Sequence, residues 1–264
     1  MKFFHRAYLL FFGLLILCPD ANAQGAYLGG GFGFGFFFEP LTDRPVIPYT
    51  DSNHKGSLGR GINYGVNVGY MVSENAGLDL AIRYVAGSTF KYEGVDSSGN
   101  KLNLNFKGST LRIMPALKVN LGNRNKFYVK LGPLLGISND VTAEEIHTVT
   151  NTSGAMEYLT ENKFQGGSSI GWMGTVGVDF SAKDSISIFI EVNLCRQVYE
   201  PGELTVTAAG GSPESFTLVD NPNPHNPNEK QKPSFPFSNI GINAGIRFLI
   251  GGTKKTVLLP VELK

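Results

Sequence analysis

Cysteine is nearly absent from the 264-residue sequence: only Cys18 and Cys195 occur, too few and too far apart for a disulfide framework or a Cys-based zinc site. Charge is scarce too, at 17% of residues against about 25% in an ordinary soluble chain. Lys+Arg is 23 and Asp+Glu is 22, a formal net charge of +1. Neither a polybasic surface for nucleic acid nor an acidic tail is indicated. After the first two dozen residues no apolar run reaches the ~18 residues of a membrane helix. Glycine, by contrast, is abundant at 33 residues, and aromatics make up 11%. That composition excludes a disordered chain and a charged helical protein.

Residues 1–23 have the three parts of a secretory signal. Lys2 and Arg6 are basic, Ala7 to Leu17 is apolar and too short to span a bilayer comfortably, and Ala21-Asn22-Ala23 is a cleavage pattern. Leu17 precedes Cys18 where a lipoprotein signal would place a small residue, so cleavage before Gln24 is expected rather than lipid anchoring. Cleavage removes Lys2, Arg6 and Asp20, leaving 21 basic against 21 acidic residues.

From Gln24 onward the signal is alternation of period two. Residues 61–72 place Ile62, Tyr64, Val66, Val68, Tyr70 and Val72 on one face, with Asn63, Gly65, Asn67, Gly69 and Met71 on the other. A strand keeps each set together and a helix scatters it. The same pattern predicts strands at about 26–38, 61–72, 77–92, 104–121, 126–138, 168–180, 185–199 and 238–250. Connections near 73–75, 122–125 and 181–184 are short. Those at about 39–60, 93–103, 139–167 and 200–237 are long and read as loops. Eight strands with alternating short and long connections predict an all-β, antiparallel up-and-down barrel over 24–250, followed by a tail at 251–264. No linker divides it into two domains.

Alternation fits a soluble barrel with an apolar interior and a transmembrane barrel with an apolar exterior. The apolar faces carry no charge, as hydrocarbon contact demands. The other face is rich in Gly, Asn, Ala and Ser, which suits a narrow eight-stranded lumen better than a water-facing wall. Aromatics such as Phe38, Tyr64, Tyr70, Tyr84, Phe127, Phe180 and Phe248 sit toward the strand ends, where interfacial girdles form. The transmembrane sense follows.

Three phrases carry a family resemblance: Leu78-Asp79-Leu80-Ala81-Ile82-Arg83-Tyr84, Leu111-Arg112-Ile113-Met114-Pro115 and Asn243-Ala244-Gly245-Ile246-Arg247-Phe248-Leu249-Ile250. On them the chain resembles the small eight-stranded outer-membrane barrels of Gram-negative bacteria, the OmpA-like, OmpX-like and OmpW-like group. The resemblance covers about 26–250. It implies an assembly signal in the last strand at Asn243, Gly245, Phe248 and Ile250. It also implies the cell outer membrane as location, with outer-membrane lipid and the barrel-insertion machinery as partners. The segment after Ile250 departs from a family that often ends on its last strand.

Eight charges fall on the inward register: Asp79, Arg83, Arg112, Lys118, Lys130, Asp179, Glu191 and Arg247. In so narrow a lumen they must pair or be hydrated. They are expected to form a network, with Asp79, Lys118 and Lys130 at one level near the short turns. Pro115 and Pro133 lie symmetrically about the 122–125 turn, if Leu121 faces Phe127, and predict a local kink. His54, His147 and His225 fall in the expected loops, which leaves no strand-borne His for catalysis. The Pro/Asn-rich stretch Asp220 to Asn228 reads as a solvated, extended loop, with a surface epitope as its functional reading. Gly31-Phe32-Gly33-Phe34-Gly35 is no nucleotide loop, since it sits inside a strand. No enzyme, cofactor, metal or nucleic-acid role is expected. The expected function is structural or surface-binding through the long loops. A narrow channel for small or hydrophobic solutes, OmpW-like, is the alternative, and a lipid-modifying enzyme is third.

Overall fold

The computed structural model describes residues 25–37, 57–73, 75–95, 100–121, 126–151, 154–183 and 185–250. The expected leader (1–23), the tail (251–264) and His54 lie outside the described residues. Fourteen strands and no helix occur among those described: β1 (Gly25–Phe37), β2 (Gly61–Met71), β3 (Ala76–Gly87), β4 (Phe90–Val95), β5 (Lys101–Leu121), β6 (Lys126–Asn151), β7 (Gly154–Gln165), β8 (Ser168–Lys183), β9 (Ile186–Glu200), β10 (Glu203–Ala208), β11 (Glu214–Val219), β12 (Glu229–Gln231), β13 (Phe235–Pro236) and β14 (Asn239–Ile250).

Eight of them close on themselves. The ladder runs β1–β2–β3–β5–β6–β8–β9–β14 and returns to β1 through Gly31 opposite Gly245 and Phe34 opposite Ile242. All eight pairings are antiparallel, so the ring has no free edge. The period-two pattern is what closes it. In β9 residues alternate between shielded and open over the whole strand. Val66, Leu117 and Ile188 are 53%, 52% and 47% exposed, so the apolar register points away from the axis. Asn67, Lys118 and Ser187, their neighbours in sequence, are buried.

Glycine makes the interior possible by yielding space to a large side chain from the next strand. A Cβ on Gly69 would enter the Tyr27 ring, and one on Gly177 the Tyr128 ring. A Cβ on Gly33 would meet the Asn243 carboxamide, and Phe189 lies over both Gly31 and Gly245. The small residues of the inward register are thus the seats of the large ones.

Beyond the ring, three of the four expected long loops carry strands, while most of the first, 39–60, lies outside the described residues together with Phe38. The first half of β5 and the second half of β6 continue past the ring and join β4, β7, β10, β11 and β12 in an extension of the same sheet, ordered β4-β5-β6-β7-β10-β11-β12. The expectation of loops at 93–103, 139–167 and 200–237 is therefore corrected. So is that of a loop-borne His147, which lies within β6. One face of this sheet buries Leu102, Leu104, Phe106, Val141, Ala143 and Phe164 against Tyr199, Phe235 and Phe237. That burial, which needs no lipid, explains why these segments are ordered.

The ladder between β5 and β6 pairs Leu121 with Phe127 and Leu117 with Leu131, then resumes at Ile113 with Leu135. The gap covers Pro115 and Pro133, as expected of residues without an N–H. Each still pairs on its other side, with Leu80 and Trp172. The register shift itself lies higher, between Ser109 and Leu111. The Pro/Asn stretch also differs from an extended loop. Glu229 accepts hydrogen bonds from the Asn223 N–H (2.8 Å) and the Asn226 amide (2.9 Å), folding the segment into successive turns.

Candidate functional site

The inward register of the ring gathers seven of the eight expected charges into one tier near the short turns. Glu191 on β9 is its centre. Its Oε1 accepts from Lys130 Nζ at 2.8 Å, Arg247 Nη2 at 2.6 Å and Tyr128 Oη at 2.8 Å, and its Oε2 from Arg83 Nη2 at 2.8 Å. Lys130 also meets Asp79 at 3.1 Å. Asp79 accepts from Tyr27 Oη at 2.5 Å and Asn67 Nδ2 at 3.1 Å. Asp179 pairs with Lys118 at 3.2 Å and with Arg247. The Arg247 guanidinium carbon lies 4.2 Å from the Phe189 ring centroid. Four cations thus face three carboxylates across strands far apart in sequence. Apart from Arg83, each charged side chain here is no more than 6% exposed. In such a medium every charge needs its partner, because desolvation costs several kcal/mol per ion.

The eighth charge, Arg112, stands apart from this network, and the expectation is corrected accordingly. Its side chain lies higher in the lumen and meets neutral acceptors: Gln197 Oε1 (2.8 Å), Asn239 Oδ1 (3.2 Å) and the Phe237 carbonyl (2.6 Å). Between the two tiers sits an apolar collar of Ala81, Met114, Ala116, Leu134, Met173 and Cys195. Cys195 is a free, buried thiol packed as a small side chain. The collar separates the two charge levels because Met114 and Ala116 fall between Arg112 and Lys118 on one strand.

Above Arg112 the mouth is stoppered. Leu58 and Phe237 lie over Gly108, whose Cβ would fall 2.9 Å from Phe237 Cζ and 3.1 Å from Leu58 Cβ. The segments carrying them are tied together. Leu58 N–H donates to the Pro236 carbonyl at 2.9 Å, Ser57 Oγ to the Ser238 carbonyl at 2.5 Å, and Asn239 Nδ2 to the Gly59 carbonyl at 2.9 Å.

Of the residues expected to signal assembly, Asn243 and Gly245 face inward, whereas Phe248 and Ile250 are 50% and 57% exposed on the outer wall. His147 pairs with Glu145 at 2.6 Å in the sheet beyond the ring. The described residues contain no metal-ligating cluster. Sequence reasoning missed Tyr27, Asn67 and Tyr128 as members of the charge tier. Their signal was present, since each occupies the polar register of its strand.

An apolar exterior around a polar, salt-bridged interior inverts a water-soluble barrel and defines the class of barrels built for a lipid surrounding. A family model for the outer membrane protein beta-barrel domain matches residues 8–218, most of the chain, and the protein belongs to that family. Among solved structures, the crystal structure of Acinetobacter baumannii CarO is similar at 13% identity, covering 84% of this chain and 96% of its own, with a TM-score of 0.33. The solid-state NMR structure of outer membrane protein AlkL in DMPC lipid bilayers shares 14% identity over 91% of this chain and 94% of its own, with a TM-score of 0.37. No curated protein matches the chain.

Proposed function

We propose that this protein is a closed, non-catalytic transmembrane barrel of the Gram-negative outer membrane, exported by a leader cleaved before Gln24. In this reading the barrel-insertion machinery folds it, and it serves as a rigid base for a surface-exposed sheet. The observation that carries this reading is the filled lumen. The charge tier, the apolar collar, Arg112 and the Leu58–Phe237 stopper succeed one another along the axis. A continuous aqueous path would have to break buried ion pairs and part packed side chains together.

The rising sheet supports a role in surface contact. It is held by its own apolar core, so it presents a fixed surface rather than mobile loops. Its two outermost strands at one end, β11 and β12, run in parallel, and the Glu229-centred turns beside them are exposed. Binding surfaces on rigid scaffolds lose little conformational entropy on engaging a partner.

Planar-bilayer recording tests the closed reading. The purified protein, inserted into a planar bilayer in molar KCl, is expected to give no stepwise conductance. Regular conductance steps from the wild-type protein would establish the channel reading instead.

A further inference from the structure

Met114, Met173 and Cys195 place three sulfur atoms in the collar, packed in one cluster with Ala81, Ala116 and Leu134. They are 2%, 3% and 0% exposed. Met173 and Cys195 are direct ladder partners on β8 and β9. Met114 joins their layer from across the lumen. On β5 it is the next inward residue below Arg112, and on β9 Cys195 is the next below Gln197. The hydrogen bond from Arg112 to Gln197, at 2.8 Å, ties those two strands together one step higher. The Met173 sulfur is fixed as well, accepting from Thr175 Oγ1 at 3.5 Å. Among the described residues no three His, Cys, Asp or Glu side chains converge as a metal site. Methionine lies outside that set, and thioether with thiolate sulfur is the ligand combination that selects soft ions.

We propose that the collar binds one soft monovalent cation, copper(I) or silver(I), through the Met114 and Met173 thioethers and the Cys195 thiolate. Size permits it. With metal–sulfur bonds of about 2.3 Å, as in zinc thiolates, three sulfurs around one ion stand about 4 Å apart. Side chains in ordinary packing contact already stand about that close. The ion therefore takes the place of the thiol proton among touching sulfurs and needs no separate cavity. Charge selects the valence. Binding breaks the Cys195 S–H bond, forms the sulfur–metal bond and releases the proton, so a monovalent ion leaves the charge of the buried site unchanged. A divalent ion would add a positive charge near the Arg112 guanidinium, which interacts electrostatically with Cys195 and is hydrogen-bonded to neutral acceptors. Ligand type points the same way. Ala81, Ala116 and Leu134 bring no side-chain oxygen or nitrogen, so calcium and magnesium find no oxygen ligands in the collar and zinc finds a single thiolate. The stopper lies above the collar and the ion pairs below it, so the ion enters as the chain folds. The inference rests on the inward register alone and does not depend on whether the barrel conducts.

The test is to fold the full chain into nanodiscs with and without silver(I), carrying Cys18→Ser so that Cys195 is the single thiol. After gel filtration the folded protein is expected to retain one silver per chain by elemental analysis. With methyl-labelled methionine, the NMR signals of Met114 and Met173 should shift on silver loading while that of Met71 stays in place. Leucine keeps the volume of methionine in a packed interior. In Met114→Leu/Met173→Leu the silver affinity, measured against a competing chelator, should fall at least several-fold, the gel-mobility shift on heating reporting that the variant is folded. The methyl shifts are read on protein with both methionines, so the test does not depend on the variant folding. Equal affinity in the folded double variant would assign the metal to the thiol alone and overturn the proposal. So would folded protein that retains no silver, methionine signals that do not move, or retention of zinc in preference to silver when both are offered.

Discussion

Replacing Glu191 by glutamine is expected to destabilise the folded ring by about 3–5 kcal/mol, the range for removing one partner from a buried ion network. The substitution keeps shape and removes only charge. Three cations lose their shared carboxylate: Arg83, Lys130 and Arg247. Lys130 retains Asp79 and Arg247 retains Asp179, but Glu191 is the only carboxylate within ion-pair distance of Arg83 among the described residues. The tier then holds four cations against two carboxylates in a largely buried space. Urea unfolding in lipid vesicles should show the loss as a lowered midpoint. Removing Arg83 as well, in Arg83→Met/Glu191→Gln, should cost less than the sum of the single changes, because the stranded cation is gone. Additive costs would contradict the direct coupling seen in the structure.

The second large effect comes from a glycine. A Cβ at Gly177 would sit within 2.7 Å of Tyr128 Cε2, and the Tyr128 hydroxyl is held by both Glu191 and Arg247. The ring has no room to withdraw, so Gly177→Val should cost at least the ~1–3 kcal/mol of an overpacked interior. Gly174 on the same strand is the control. Three residues away, on the outward register, a Cβ there meets nothing within 4 Å. Gly174→Val should therefore change stability by no more than about 0.5 kcal/mol. Equal effects at the two positions would mean that strand propensity, not lumen packing, governs glycine in this wall. The folded fraction on unheated gels compares the two directly.

The ring strands were legible because hydrocarbon on one side and a packed lumen on the other force a strict two-residue alternation. The strands β2, β8 and β9 lie within a few residues of their expected positions. Segments beyond the rim obey a looser rule. In β7 the run Glu157-Tyr158-Leu159-Thr160-Glu161 has no clean alternation, since water tolerates apolar and charged residues alike on the outer face. Likewise the alternation predicts an end to the strand at Ser138, yet β6 runs on through Asn139 and Asp140 while β5 shifts register opposite. The charges were recognisable as inward, but their partners were not. Arg83 and Glu191 are 108 residues apart and meet across several intervening strands, and the pairing depends on the ring's shear, which no local pattern encodes. Arg112 shows the same limit: its register was plain, but its separation from the acidic residues depends on the height at which β5 crosses the lumen.

The central claim is that the apolar register faces hydrocarbon, and the single tryptophan reports on it. Trp172 lies on that register, 43% exposed, between Ile170 and Gly174 on the outer wall. Fluorescence of the protein folded into vesicles should be blue-shifted, strongly quenched by lipids brominated on their acyl chains, and nearly untouched by aqueous iodide. Iodide quenching without bromolipid quenching would place Trp172 in water and contradict the account.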